Sequence, residues 1–101
     1  MKPIFVWDNN PPDSMSKERI ESNLASALEL ANTRNLEPAK LELHLSLDKS
    51  QTRIDAIGYD QTRKPLFICD CAPVGEGAAY YCYYYGEEDH RKSQFANLQY
   101  P

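Results

Sequence analysis

Leu41-Glu42-Leu43-His44-Leu45-Ser46-Leu47 is the stretch of sequence that decides the fold class. Leucine stands at every second position, and a polar residue stands between each leucine and the next. Successive side chains of a β-strand point to opposite faces, so this alternation predicts a strand with one apolar and one polar face. On a helix the same leucines would be spread around the whole circumference. We therefore expect a half-buried strand of an antiparallel sheet.

A second alternating segment, Thr52 to Tyr59, follows the turn at residues 48–51. If Leu47 pairs with Thr52, the apolar side chains of both segments lie on the same face, which predicts a β-hairpin. The expected apolar pairs are Leu45 with Ile54 and Leu43 with Ala56.

The next predicted strand, Leu66 to Cys71, follows the turn at residues 60–65 and has two possible registers. One register would bury Asp70 on the leucine face, and an unpaired buried carboxylate is costly. We adopt the other, which places Asp70 on the opposite face, across from Asp55, together with Leu66 and Ile68. The residues then expected on the leucine face are Phe67, Cys69 and Cys71.

Upstream of the leucine strand, residues 14–34 predict a long amphipathic helix. Its N-terminus can be capped by Asp13, Ser14 or Ser16, because each side chain can accept a hydrogen bond from the first turn. A single apolar stripe runs along it: Ile20, Leu24, Ala27, Leu28 and Ala31. Before the helix, Pro3 to Trp7 predicts a short strand that is apolar on both faces and therefore covered or interior.

Downstream, the run from Ala78 to Gly86 holds five of the seven tyrosines of the chain and predicts a further strand. One face of that strand would carry Tyr80, Cys82 and Tyr84, and the other Tyr81, Tyr83 and Tyr85. The whole chain, residues 1–101, then forms a single α+β domain. We expect one long helix packed on a mainly antiparallel sheet of four or five strands, in the order β-α-β-β-β-β, with a short C-terminal element.

The charge balance argues against nucleic acid as a partner. The net charge is −4, and acidic residues follow the tyrosine run at Glu87, Glu88 and Asp89. Binding to nucleic acid draws on lysine and arginine beside the phosphates, and the tyrosine run contains neither. The apolar run Ile4–Trp7 is too short for a signal peptide or a membrane span, so we expect no membrane association and a cytoplasmic location.

The cysteines are expected to be reduced core residues. Metal binding would have to combine Cys69, Cys71 and Cys82 with His90, but cysteines two apart lie about 6.6 Å from each other along a strand. That spacing is awkward for one ion, so we expect no metal and no cofactor. If Cys71 lies opposite Tyr80, Cys69 faces Cys82 with their Cβ atoms about 4.5–5.5 Å apart, close to but somewhat beyond the disulfide distance, so a redox-active pair is a further hypothesis.

The residue types that catalysis needs are present but are not brought together. A nucleophile requires a base nearby, whereas His44 is predicted on the polar face and Cys69 on the leucine face. The segment Gly75-Glu76-Gly77 lacks the third glycine and the helix of a phosphate-binding loop. The sequence therefore favours a protein that is not an enzyme.

The outward face of the last three strands forms an apolar patch rich in tyrosine, which is typical of protein interfaces. Its members are Ile57, Tyr59, Leu66, Ile68, Tyr81, Tyr83 and Tyr85. We expect a small non-catalytic interaction or adaptor module that forms a homodimer or binds another protein through this face. An intramolecular cover of the same face, by the first strand or by the tail residues Phe95, Leu98 and Tyr100, stays open as an alternative.

A second function is compatible with the same fold. Tyr80, Cys82 and Tyr84 would line a small-molecule pocket between helix and sheet, which could include enzymatic activity.

Overall fold

In the described part of the chain, five strands join in the order in which they occur in the sequence, and one helix crosses a face of the sheet that they form. The computed structural model describes residues 2–11, 16–47, 53–72 and 79–85. The elements are β1 (Ile4–Trp7), α1 (Lys17–Ala31), a 3₁₀ turn (Pro38–Lys40), β2 (Glu42–Leu47), β3 (Ile54–Tyr59), β4 (Pro65–Ala72) and β5 (Ala79–Tyr84). The predicted α+β class and the order β-α-β-β-β-β are confirmed. The predicted C-terminal element, after residue 86, lies outside the described residues.

The helix is shorter than predicted because side chains close both of its ends. Ser16 is the N-cap, and its hydroxyl accepts a hydrogen bond from the Arg19 N–H at 3.3 Å. At the other end Asn32 turns the chain out of the helix: its side chain accepts from the Leu36 N–H at 3.0 Å and donates to the Leu36 carbonyl at 2.7 Å. The buried residues of the predicted stripe are Ile20, Leu24 and Leu28.

Contacts at its two ends show that α1 crosses the sheet from one edge to the other. Near the first turn, Trp7 of β1 donates its ring N–H to Glu21 at 3.2 Å, and the Lys17 ammonium lies 5.5 Å from the Trp7 ring centre. Beyond the last turn, Asn32 contacts Tyr84 of β5. Fifteen helical residues span about 22 Å. Five strands span about 19 Å, so one helix of this length covers the whole sheet.

The β2–β3 hairpin forms with the predicted faces but in a different register. Leu47 pairs with Ile54, not with Thr52, and the other predicted pairs are displaced by the same two residues. The side-chain repeat of a strand is two residues, so a slip by two leaves every side chain on its predicted face. The shift also brings Gly58 opposite Leu43, where a Cβ would lie only 3.0 Å from Leu43 Cδ2.

The predicted register of β4 is confirmed except at Leu66. Phe67 pairs with Gly58, whereas the next pair joins Pro65 to Tyr59, so Leu66 is an extra residue in a β-bulge. Leu66 consequently packs against the core on the helix side, and its predicted place on the opposite face is wrong. A bulge changes the alternation locally, and nothing in the alternation of this segment signals it.

The first strand lies at an edge of the sheet and not in its interior. Among the described strands β1 pairs only with β2, and the two are parallel because α1 carries the chain back between them. Phe5 and Trp7 pack against the core, but Ile4 is 55% exposed. The other three pairings of the described sheet are antiparallel.

The main core lies between α1 and the sheet. Its buried members are Ile20, Leu24, Leu28, Leu41, Leu43, Leu45, Ile54, Ala56, Phe67, Cys69, Cys71 and Tyr84. We call the opposite side of the sheet the outer face. It also carries buried residues, namely His44, Tyr59, Ile68 and Asp70.

Candidate functional site

A continuous row of side chains crosses the outer face. Ile57 of β3 is in register with His44 on one side and Ile68 on the other, and Ile68 is in turn in register with Tyr83 of β5. The sequence predicted that Ile57, Ile68 and Tyr83 share this face, and the strand pairing brings them side by side.

The predicted interface residues differ widely in accessibility. Ile68 and Tyr59 are buried within the chain, and the His44 ring meets the Tyr59 ring edge-on with their centres 5.0 Å apart. Ile57, Leu66 and Tyr83 are half-buried. By contrast, Tyr81 is 57% exposed and Tyr85 is 37% exposed. The accessible part of the predicted patch therefore lies on and just beyond β5.

β5 is the last strand of the described sheet. It pairs with β4, and no other strand in the described part of the chain lies beside it. Ala79 to Tyr85 contains no charged residue. Edge strands of soluble proteins commonly carry a charge or a proline that prevents pairing with another chain, and this strand carries neither.

A charged group lies next to this edge. Asp55 and Asp70 face each other across β3 and β4, as predicted, and Asp70 is also in register with Tyr81. The Arg53 guanidinium joins the two carboxylates, at 2.7 Å from Asp70 and 3.3 Å from Asp55. The alternation of the third strand predicts Arg53 on the same face as Asp55, but it did not predict that the guanidinium contacts both carboxylates.

His44 and Cys69 lie on opposite faces of the sheet, as predicted. The His44 ring nitrogen Nε2 is 3.2 Å from a Glu42 carboxylate oxygen on the outer face, whereas Cys69 belongs to the core below the helix. No base–thiol pair is therefore built from these two residues.

The residues of the alternative pocket are packed against the core. Tyr84 is buried, and its hydroxyl accepts from the Arg34 N–H at 3.0 Å and donates to the Asn32 side-chain oxygen at 3.1 Å. The Arg34 guanidinium lies 4.0 Å from the centre of the Tyr84 ring. Tyr80 and Cys82 are half-buried neighbours on the same side of β5.

A shallow cavity of about 410 Å³ lies elsewhere, beside the solvent-facing side of the helix. It is lined by Lys2, Ser22, Ala25, Ser26, Glu29 and Pro38, so none of the predicted pocket residues contributes to it.

The thiols of β4 and β5 occupy the predicted register. Cys71 is opposite Tyr80, and Cys69 is directly opposite Cys82. Within the described residues, no group of three histidine, cysteine or carboxylate side chains could hold a metal ion. His90, the fourth residue of the metal hypothesis, lies outside the described residues.

Comparisons of the chain with protein-family models, with curated proteins and with solved structures found no match. Among the described residues there is no helix with the length and apolar character needed to cross a membrane.

Proposed function

We propose that this chain is a small non-catalytic interaction module that associates with a second copy of itself through the tyrosine-bearing edge formed by β5. The observation that carries the proposal is the exposure of Tyr81 on a strand that ends the described sheet and carries no charge. Tyrosine combines a large contact area with few rotatable bonds, and it is enriched at protein interfaces for that reason.

The backbone of β5 is suited to pairing with another strand. The Tyr85 N–H bonds to the Leu66 carbonyl at 2.7 Å, across the β4–β5 pairing. Hydrogen-bonded residues alternate along an antiparallel ladder, so Tyr83 and Tyr81 also bond to β4, and the N–H and C=O groups of Cys82 point away from the sheet. A second copy related by a two-fold axis at Cys82 would satisfy these groups and set Tyr81 beside the Tyr83 of the other copy.

The distribution of charge favours β5 as the place where two copies associate. Each copy has a net charge of −4, so most orientations bring acidic surfaces together. The uncharged strand is a place where two copies approach without placing like charges opposite each other. The proposal places the module in the cytoplasm, where glutathione keeps thiols reduced except under oxidising conditions.

The test is a measurement of molar mass by light scattering and sedimentation. The wild-type protein is expected to have twice the chain mass of 11.6 kDa, and Tyr81→Glu is expected to have the chain mass with an unchanged circular dichroism spectrum. A carboxylate at this position would be repeated on both sides of the two-fold axis, which opposes pairing.

The matched control is Leu30→Glu. Leu30 is the most exposed of the large apolar residues of the described chain, at 86%, and it lies on the helix and not on β5. This variant should keep the wild-type mass. A wild-type protein that stays monomeric at its highest soluble concentration would refute the proposed self-association.

One observation favours the small-molecule alternative. Tyr80 and Cys82 are half-buried, whereas Tyr84 on the same side of β5 is buried. A thermal-shift screen of small molecules, repeated with Tyr80→Ala, tests this alternative, because a ligand of that pocket should stabilise only the wild-type protein.

A further inference from the structure

We propose that Cys69 and Cys82 form a reversible redox site, in which an intramolecular disulfide joins β4 to β5 under oxidising conditions. This inference concerns two residues of one chain. The proposed two-fold axis passes at Cys82, so self-association would slow the attack of the reagent on Cys82 but would not change which two thiols become linked.

The pairing of the strands places the two thiols opposite each other. Cys69 and Cys82 are direct register partners, and both lie on the helix side of the sheet. Tyr85 and Leu66 are a hydrogen-bonded pair of the β4–β5 ladder. Hydrogen-bonded and non-hydrogen-bonded pairs alternate along an antiparallel ladder, so Cys82 and Cys69, three positions away, are a non-hydrogen-bonded pair. In pairs of this type the facing side chains lie closer together. A disulfide between such positions needs little movement of the backbone.

The third cysteine is placed differently. Cys71 is opposite Tyr80, so it has no cysteine directly across the β4–β5 pairing. It reaches Cys82 only diagonally, and diagonal partners lie roughly 7–8 Å apart. The register therefore selects Cys69 over Cys71 as the partner of Cys82.

The two paired thiols differ in burial, and this difference determines which of them reacts first. Cys69 is fully buried, and burial, followed by a hydrogen bond with the Cys82 thiol, raises its pKa well above the ordinary value. Cys82 is half-buried and is therefore the thiol that an external reagent reaches first.

The co-reactant is a small-molecule disulfide such as oxidised glutathione. The Cys82 thiolate attacks one sulfur of the reagent, and one glutathione thiolate leaves. The Cys69 sulfur then attacks the Cys82 sulfur, the mixed disulfide breaks, and the proton of Cys69 passes to the second leaving thiolate. Two cysteine thiols are oxidised to one disulfide and the reagent is reduced to two thiols. Excess thiol reverses both steps.

Peptide mapping of the wild-type protein tests the inference directly. After incubation with oxidised glutathione, free thiols are blocked and the denatured chain is cleaved before Asp70 and after Glu76, which separates all three cysteines. We expect the Cys69 and Cys82 peptides to be joined and Cys71 to be blocked. Three blocked cysteines, a link between Cys71 and Cys82, or a Cys82 link between two chains would each overturn the proposal.

Alanine variants give a second, independent readout. Cys71→Ala should form the same link and leave no free thiol. Cys82→Ala should take up no glutathione, because Cys69 and Cys71 are both buried. Equal modification of Cys82→Ala and wild type, or loss of the link in a folded Cys71→Ala, would contradict the assignment.

Discussion

At the scale of single residues, Asp60 shows how one side chain organises the turn between β3 and β4. One of its carboxylate oxygens accepts from the Thr62 hydroxyl at 2.6 Å, the Thr62 N–H at 2.9 Å and the Lys64 N–H at 3.0 Å. The hydrogen bond from the Thr62 side chain is the largest of the effects that lower the pKa of Asp60. Within this turn Arg63 has a φ of 64°, a left-handed conformation that the hydrogen bonds of Asp60 help to hold.

We expect Asp60→Ala to destabilise the fold by about 1 kcal/mol at pH 7, since it removes these hydrogen bonds from a largely exposed turn. The folded-state pKa of Asp60 is below its ordinary value of 3.8. The stabilisation by the ionised carboxylate is therefore fully present above that value and is lost as the pH falls through the folded-state pKa. Urea unfolding of both proteins at pH 7 and at about pH 3 should show a smaller difference at the lower pH.

Asp60→Asn is the control for this prediction. It keeps an acceptor oxygen but has no titratable group, so part of the stability at pH 7 should remain without the acid-dependent loss. A difference between wild type and Asp60→Ala that is the same at both pH values would show that the ionised carboxylate contributes nothing.

The contacts of Arg53 show which features of single residues the sequence could not predict. The sequence predicted that Asp70 lies opposite Asp55, and this is confirmed. It did not predict that one guanidinium contacts both, because the direction taken by a long flexible side chain depends on groups that the fold assembles.

At the scale of elements, Tyr84 joins the end of α1 to β5. Its hydroxyl bonds to the Asn32 side chain and to the Arg34 backbone, and its ring packs on Phe67 with their centres 4.4 Å apart. The helix was predictable from its apolar stripe. The hydrogen bonds between Tyr84 and the end of the helix were not, because the partners are about fifty positions apart in the chain.

We expect Tyr84→Phe to lower the free energy of unfolding by about 1–2 kcal/mol, because it leaves the Arg34 N–H and the Asn32 oxygen without this partner in a part-buried position. Chemical denaturation measures the loss. Tyr81→Phe is the matched control and should be neutral, since Tyr81 is 57% exposed. Equal effects of the two substitutions would show that the hydrogen bonds of the Tyr84 hydroxyl do not stabilise the contact between α1 and β5.

At the scale of the whole molecule, the sheet has one face under the helix and an outer face that is itself partly buried. Tyr59 and Ile68 are buried there, so the exposed tyrosines of the described chain, Tyr81 and Tyr85, are concentrated at one edge. Any association through this patch therefore has to involve β5.

The proposed association makes thermal stability depend on protein concentration. We expect the Tm of the wild-type protein to rise with concentration, since dimerisation stabilises the folded state by mass action. Added salt should leave the dimer intact or strengthen it slightly, because it screens the repulsion between two copies of charge −4. The Tm of Tyr81→Glu should not depend on concentration. Scanning calorimetry over a range of concentrations gives these values, and a constant wild-type Tm would contradict the prediction.

The alternation of apolar residues in the strands and the apolar stripe of the helix were sufficient to predict the element order and, except at Leu66, the faces of the strands, because both follow local repeats of the backbone. The register of the β2–β3 hairpin and the bulge at Leu66 were not predictable, since they depend on turn geometry and on contacts between distant segments. The sequence predicted that Cys69 faces Cys82 from one assumption, that Cys71 lies opposite Tyr80, because in an antiparallel pair one register partner determines the others. Only the assembled sheet decided which tyrosines stay accessible, because exposure depends on the position of a strand among its neighbours and not on its own sequence.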